Sequence, residues 1–181
     1  MIKKEFLSHL LLVLVWLFVI TLLRWSWHFS LIWLWLGGIL GMSLLDLDHL
    51  FYIFVSNPHE LTSLRIKRLV EQKRLKGALI LTYDTHHERE KLAFRNALFQ
   101  AILYVLCFFV LTSTNNLLGS GLVMGMALHL LEDEIDDLLK DEERLKKWLF
   151  WPLKIDISWQ NQKFFVILML LIFLGLNLLL I

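Results

Sequence analysis

The stretch Leu34-Trp35-Leu36-Gly37-Gly38-Ile39-Leu40-Gly41-Met42-Ser43-Leu44-Leu45-Asp46-Leu47-Asp48-His49 decides what kind of protein this is. An apolar run that begins at Phe29 and holds glycines at 37, 38 and 41 passes without a break into two aspartates and a histidine. Residues 29–45 are near the length that a helix needs to cross a bilayer core of roughly 30 Å. A second stretch, Leu117 to Asp133, has the same build, with Gly121 and Gly125 ahead of His129, Glu132 and Asp133. Steps of four stay on one helix face, so Gly121, Gly125, His129 and Asp133 form a stripe. Gly37, Gly41 and Leu45 form another, with Asp48 and His49 close behind it and Asp46 less squarely aimed. Small residues at this spacing let two backbones approach closely. The two segments are therefore predicted to pack through their glycines and to deliver Asp48, His49, His129 and Asp133 to one point.

The rest of the chain fits a membrane setting. Of 181 residues, 57% are hydrophobic and mean hydropathy is +0.62. A soluble domain carries about 45–50% even with glycine counted, so an ordinary water-soluble fold is not expected. With 13 Phe, 8 Trp and only 2 Pro the chain is not a disordered one either. Lys and Arg number 18 against 17 Asp and Glu, a balance that gives no reason to expect a nucleic-acid partner. The single Cys107 excludes an internal disulfide and a thiolate zinc knuckle.

Apolar runs at 6–23, 29–45, 92–111, 117–135 and 164–181 predict an all-α bundle of five transmembrane helices forming one multi-pass domain. The first run lacks a small-residue cleavage site and is expected to be retained. Lys3 and Lys4 precede span one. Arg65 to Lys91 lie between spans two and three, and Lys140 to Lys163 between spans four and five. Five spans put all of these on one side and leave only Arg24 in an opposite loop. The positive-inside bias then places the N-terminus in the cytoplasm and the C-terminus outside an inner membrane. Between residues 61 and 75, leucines and Val70 recur at helical spacing among Arg65, Lys67, Arg68, Lys73 and Arg74. Such a basic amphipathic segment suits an anionic leaflet, and equally a solvated helix.

Ionisable groups at the ends of spans are costly and point to function. They fall in three clusters: Asp46 to His49, Asp84 to Glu88 with His86 and His87, and His129 to Asp133. In the predicted topology all three share the cytoplasmic face. Imidazole and carboxylate converging from different helices are what a divalent metal needs, zinc being the expected ion. Taken singly, an Asp-His at a helix end is an interface anchor, and His86 with His87 an exposed loop. A His-Asp pair four apart is worth about 0.2–0.5 kcal/mol on an exposed helix, too little to explain its place in a span. His9 alone reads as a packed or interfacial histidine.

At these residues the sequence resembles the membrane-bound metal-dependent hydrolase family, the YdjM-like bacterial inner-membrane proteins. Gly37-Gly38-Ile39-Leu40-Gly41 leading to Asp46-Leu47-Asp48-His49, then Thr85-His86, then His129 and Asp133, then Trp151-Pro152, resemble its motifs. His9 is similar to its N-terminal histidine. Where the family has a further His-Arg ahead of Thr-His and a Ser after it, this chain has Leu81 to Asp84 and His87. The resemblance implies a metal-dependent hydrolase.

The expectation is hydrolysis at the cytoplasmic membrane surface, with a phosphoester of a lipid as the substrate class. Asp46, Asp48, His49, His86, His87, His129, Asp133 and His9 are the candidate ligands, and Glu132 or Glu88 the candidate general base. The rival of another class is a noncatalytic membrane protein whose His/Asp site holds an ion for structure or regulation. A small transporter is a third reading, disfavoured because the polar residues gather at one face.

Overall fold

The computed structural model describes residues 2–25, 28–153 and 157–181, with the side chains of residues 2–6 and 87 outside the description. His87, Lys3, Lys4 and Lys154 therefore lie outside the described side chains. The described residues form eight α-helices and no strand, in line with the all-α expectation. They are α1 (Ile2–Leu23), α2 (Leu31–Phe51), α3 (Leu61–Glu71), α4 (Leu75–Asp84), α5 (Ala97–Ser113), α6 (Leu117–Lys140), α7 (Glu142–Leu149) and α8 (Trp159–Leu180).

The most extensive pairing is α2 with α6, and glycine makes it. A Cβ on Gly37 would land on the Leu118 carbonyl oxygen, one on Gly41 on that of Leu122, and one on Gly121 on that of Leu34. One on Gly125 would meet the Gly38 backbone. The two helices are in backbone contact along the whole predicted seam, and any side chain there would part them. Around this pair α1, α5 and α8 complete a core of Val13, Leu17, Leu34, Met124 and Phe173 among others. A second core joins α7 to the α2–α6 pair through Leu45, Leu130, Leu145 and Leu149.

Two predicted boundaries move, both for reasons seen in the structure. Span two does not stop at Asp46. The helix runs on to Phe51 and ends in a π-turn, Tyr52–Ser56, because Asp48 and His49 are buried among partners instead of facing solvent. The helix predicted from residue 92 starts later, at Ala97. Residues 92–96 form an irregular strap, and Asn96 caps α5 by accepting from the Phe99 N–H at 2.9 Å. The basic segment predicted at 61–75 divides where Lys73 takes a positive φ of 57°, so α3 and α4 fold against each other over Ile53, Ile66 and Ala78.

Two segments are long and apolar enough to cross a membrane, Leu31–Ser56 and Trp159–Leu180. Leu7–Leu23 and Ala97–Ser113 are shorter apolar helices.

Candidate metal centre

The centre is assembled at the end of the glycine seam. His129 and Asp133 sit one turn apart on α6 and face α2 and α1. His129 is 1% exposed, and its Nδ1 lies 2.8 Å from the Met42 carbonyl oxygen of α2. A carbonyl only accepts, so Nδ1 carries the proton and Nε2 presents a lone pair. The reach from α6 to an α2 carbonyl depends on the close approach that the glycines permit. Nε2 is buried and has no hydrogen-bond partner. It lies 3.7 Å from Asp133 Oδ2 and 3.9 Å from Asp46 Oδ1.

His9 comes from α1. Its Nδ1 is 2.8 Å from Glu132 Oε2 and its Nε2 is 3.8 Å from Asp133 Oδ1. Its ring centroid stands 4.5 Å from that of His129. One ligand atom each from His9, His129 and Asp133 lie within 4.8 Å of one another, so this group can hold a metal ion. A carbonyl that accepts from the far nitrogen of a ligating histidine and so fixes its tautomer, as Met42 does for His129, is the usual accompaniment of such a site.

Arg95, in the strap before α5, reaches the same point. Its Nη2 is 2.9 Å from Asp46 Oδ1 and its Nη1 is 2.9 Å from Asp133 Oδ2. Asp48 explains how the strap is held. It is fully buried, and its carboxylate accepts from the backbone N–H of Ala93 at 3.2 Å and of Phe94 at 2.7 Å. Both of its oxygens serve the strap rather than the His9, His129 and Asp133 group. Bonds from a carboxylate contribute about 1.5–3 kcal/mol each, so Asp48→Ala is expected to cost at least about 3 kcal/mol, read as a lowered thermal midpoint in detergent. An unchanged midpoint would refute the clamp.

His49 and His86 form a neighbouring group. Their ring centroids are 6.1 Å apart, and the His86 Nδ1 N–H donates to the Tyr83 carbonyl oxygen. Arg89 donates from Nη1 to the Thr82 carbonyl oxygen at 2.9 Å and from Nη2 to Thr85 Oγ1 at 2.7 Å, and its Nη1 lies 3.4 Å from His49 Nδ1. Burial pulls the Arg89 guanidinium below its ordinary pKa, with Glu60 opposing that shift most strongly. Glu88 takes no part, since its Oε2 accepts from Thr62 Oγ1 at 3.1 Å on an exposed surface. Glu134, buried on α6, lies beside Gln100.

His9, Asp46, Glu132 and Asp133 share one cleft of about 650 Å³ with His49 and His86. Its walls also carry Lys76 and Arg89 beside Leu47, Leu50, Leu79 and Ile80. Farther along α6, Asp137 accepts from the Trp148 indole N–H at 2.7 Å and pairs with Arg144 at 3.4 Å. Burial pushes its carboxyl above the ordinary range, against both of those partners.

No protein family, curated protein or solved structure matches the chain. The geometry alone therefore describes the centre. It gathers His9, His129, Asp133, Asp46 and Glu132, keeps His49 and His86 on the same cleft, and turns Asp48 and Glu88 elsewhere. Arg95 and Arg89 were missed in the sequence, where Arg89 reads as a positive-inside charge and Arg95 as a side chain snorkelling from the end of the third apolar run. The one available signal was that Arg95 directly precedes a capping Asn and an apolar run, which ties it to the start of a helix.

Proposed function

We propose that the chain is a five-span inner-membrane protein, N-terminus in the cytoplasm, whose inner face hydrolyses a phosphoester of a membrane lipid with a divalent metal, zinc for preference. The observation that carries the reading is the buried, unpartnered Nε2 of His129 with His9 and Asp133 around it. Exposed Leu11, Phe18, Ile102, Val105, Ile167 and Leu171 give α1, α5 and α8 apolar outer faces that suit lipid contact. The 17 residues of Ala97–Ser113 span about 26 Å, close to a thin bilayer core of about 27 Å. The motif resemblance to membrane-bound metal-dependent hydrolases points the same way.

A bound divalent ion supplies an acidified water and polarises a phosphoryl oxygen. The chain's residues would do the rest. His9, His129 and Asp133 hold the ion. Glu132, against His9 Nδ1 and on the cleft wall, orients that ring and accepts a proton. Its rival Glu88 does not line the cleft. Lys76 and Arg89 attract an anionic head group, and Leu47, Leu50, Leu79 and Ile80 receive apolar chain, so the cleft suits an amphiphile.

Purified chain incubated with phosphatidate-containing vesicles is expected to release phosphate, to stop on chelation and to resume on zinc addition. Metal that raises thermal stability while no phospholipid is turned over would replace this reading with the noncatalytic one, in which the ion joins α1 to α6.

A further inference from the structure

We infer that the centre takes one divalent ion and that the Arg95 guanidinium stands in the place a second would occupy; the inference rests on the metal reading above. Three carboxylates, Asp46, Glu132 and Asp133, converge with two histidines. Carboxylates projecting from separate helices into one pocket beside histidine are the donor set of two-metal centres in helical bundles. Here the position between two of them is filled. Arg95 spans Asp46 on α2 and Asp133 on α6 with one nitrogen on each, both at 2.9 Å, and leaves to an ion the other Asp133 oxygen, Oδ1, which faces His9 Nε2 at 3.8 Å. A planar guanidinium is suited to such a two-pronged contact.

Charge balance leads to the same count. Three carboxylates against one guanidinium leave two negative charges when both histidines are neutral, which is what one divalent ion cancels. A second ion would leave these groups with two positive charges in excess. Of the other cations on the cleft, Lys140 pairs with Asp136, Arg144 with Asp137, and Arg89 is turned to Thr82, Thr85 and His49.

Arg95 is also fixed from both sides along the chain. The N–H groups of Ala93 and Phe94 are bound by Asp48, and Asn96 caps α5. The guanidinium is thus built into the pocket and is not a surface side chain that happens to fold over it.

The test is metal stoichiometry on the full chain in detergent, by elemental analysis after dialysis against zinc. Wild type and Arg95→Lys are expected to retain one ion per chain, and Arg95→Ala to retain two. Two ions in wild type, or one or none in folded Arg95→Ala, would overturn the inference while leaving a metal centre in place. No zinc in wild type overturns the inference together with the metal reading. Should Arg95→Ala not be recovered folded, manganese-loaded wild type decides by its electron paramagnetic resonance. An isolated-ion signal supports one ion per chain, and a magnetically coupled pair excludes it.

Discussion

Alanine at Gly41 or Gly121 is expected to cost this protein its fold in detergent, whereas alanine at Gly175 is expected to leave it unchanged or slightly more stable. All three are helical glycines, and on helix propensity alone each substitution should gain about 1 kcal/mol. What the new methyl meets decides the sign. At Gly41 it falls on the Leu122 carbonyl oxygen and at Gly121 on that of Leu34. These are backbone atoms of the facing helix and cannot rotate away. Relief requires α2 and α6 to separate along the seam, which loosens the packing on both sides. Overpacking that a side chain can absorb costs about 1–3 kcal/mol; where a backbone must yield, more than about 3 kcal/mol is expected. At Gly175 nothing lies within 4 Å. Thermal unfolding of the three variants checks this, and a Gly41→Ala chain melting like Gly175→Ala would refute the backbone contact. The same separation draws His129 away from the Met42 carbonyl, so zinc retention should fall with stability.

The glycine seam was legible because its rule is local. A period of four in small residues marks a helix face whatever surrounds it, and Gly37, Gly41, Gly121 and Gly125 obeyed it. The pairing of His129 with Asp133 followed from the same period. Asp48 was harder, since one position on a helix says which face a carboxylate shares but not what comes to meet it. The partner proved to be the backbone of residues 93 and 94, some 45 residues away, and backbone N–H groups leave no trace in composition. Arg95 was lost for a related reason. A cation at a span end satisfies the positive-inside rule wherever its side chain turns, so the sequence pattern could not separate a snorkelling arginine from one folded inward onto Asp46 and Asp133. His9 could be drawn in only by likeness to other sequences, because nothing in α1 itself distinguishes a histidine packed on lipid from one packed on His129.

Replacing His129 should abolish metal binding by two routes that a pair of variants can separate. Alanine removes the ring from a site that is 1% exposed, which opens a cavity and strips the Met42 carbonyl of its 2.8 Å donor. A loss of about 2–5 kcal/mol is the expectation for truncating a large buried side chain, and weak metal binding in this variant could reflect the fold alone. Asparagine is the sharper probe. Its side-chain amide nitrogen can stand near the position of Nδ1 and keep the donor to Met42, while nothing replaces the Nε2 lone pair. His129→Asn is therefore expected to melt closer to the zinc-free wild type than His129→Ala does, and yet to lose zinc. Its affinity should fall by more than about 100-fold, the upper end of what removing a group hydrogen-bonded to a ligand costs, because here a ligand itself is gone. Added zinc at about 100 times its dissociation constant should stabilise wild type by about 2.7 kcal/mol and neither variant measurably. Zinc bound by folded His129→Asn with wild-type affinity would show that the ion does not sit between His9, His129 and Asp133.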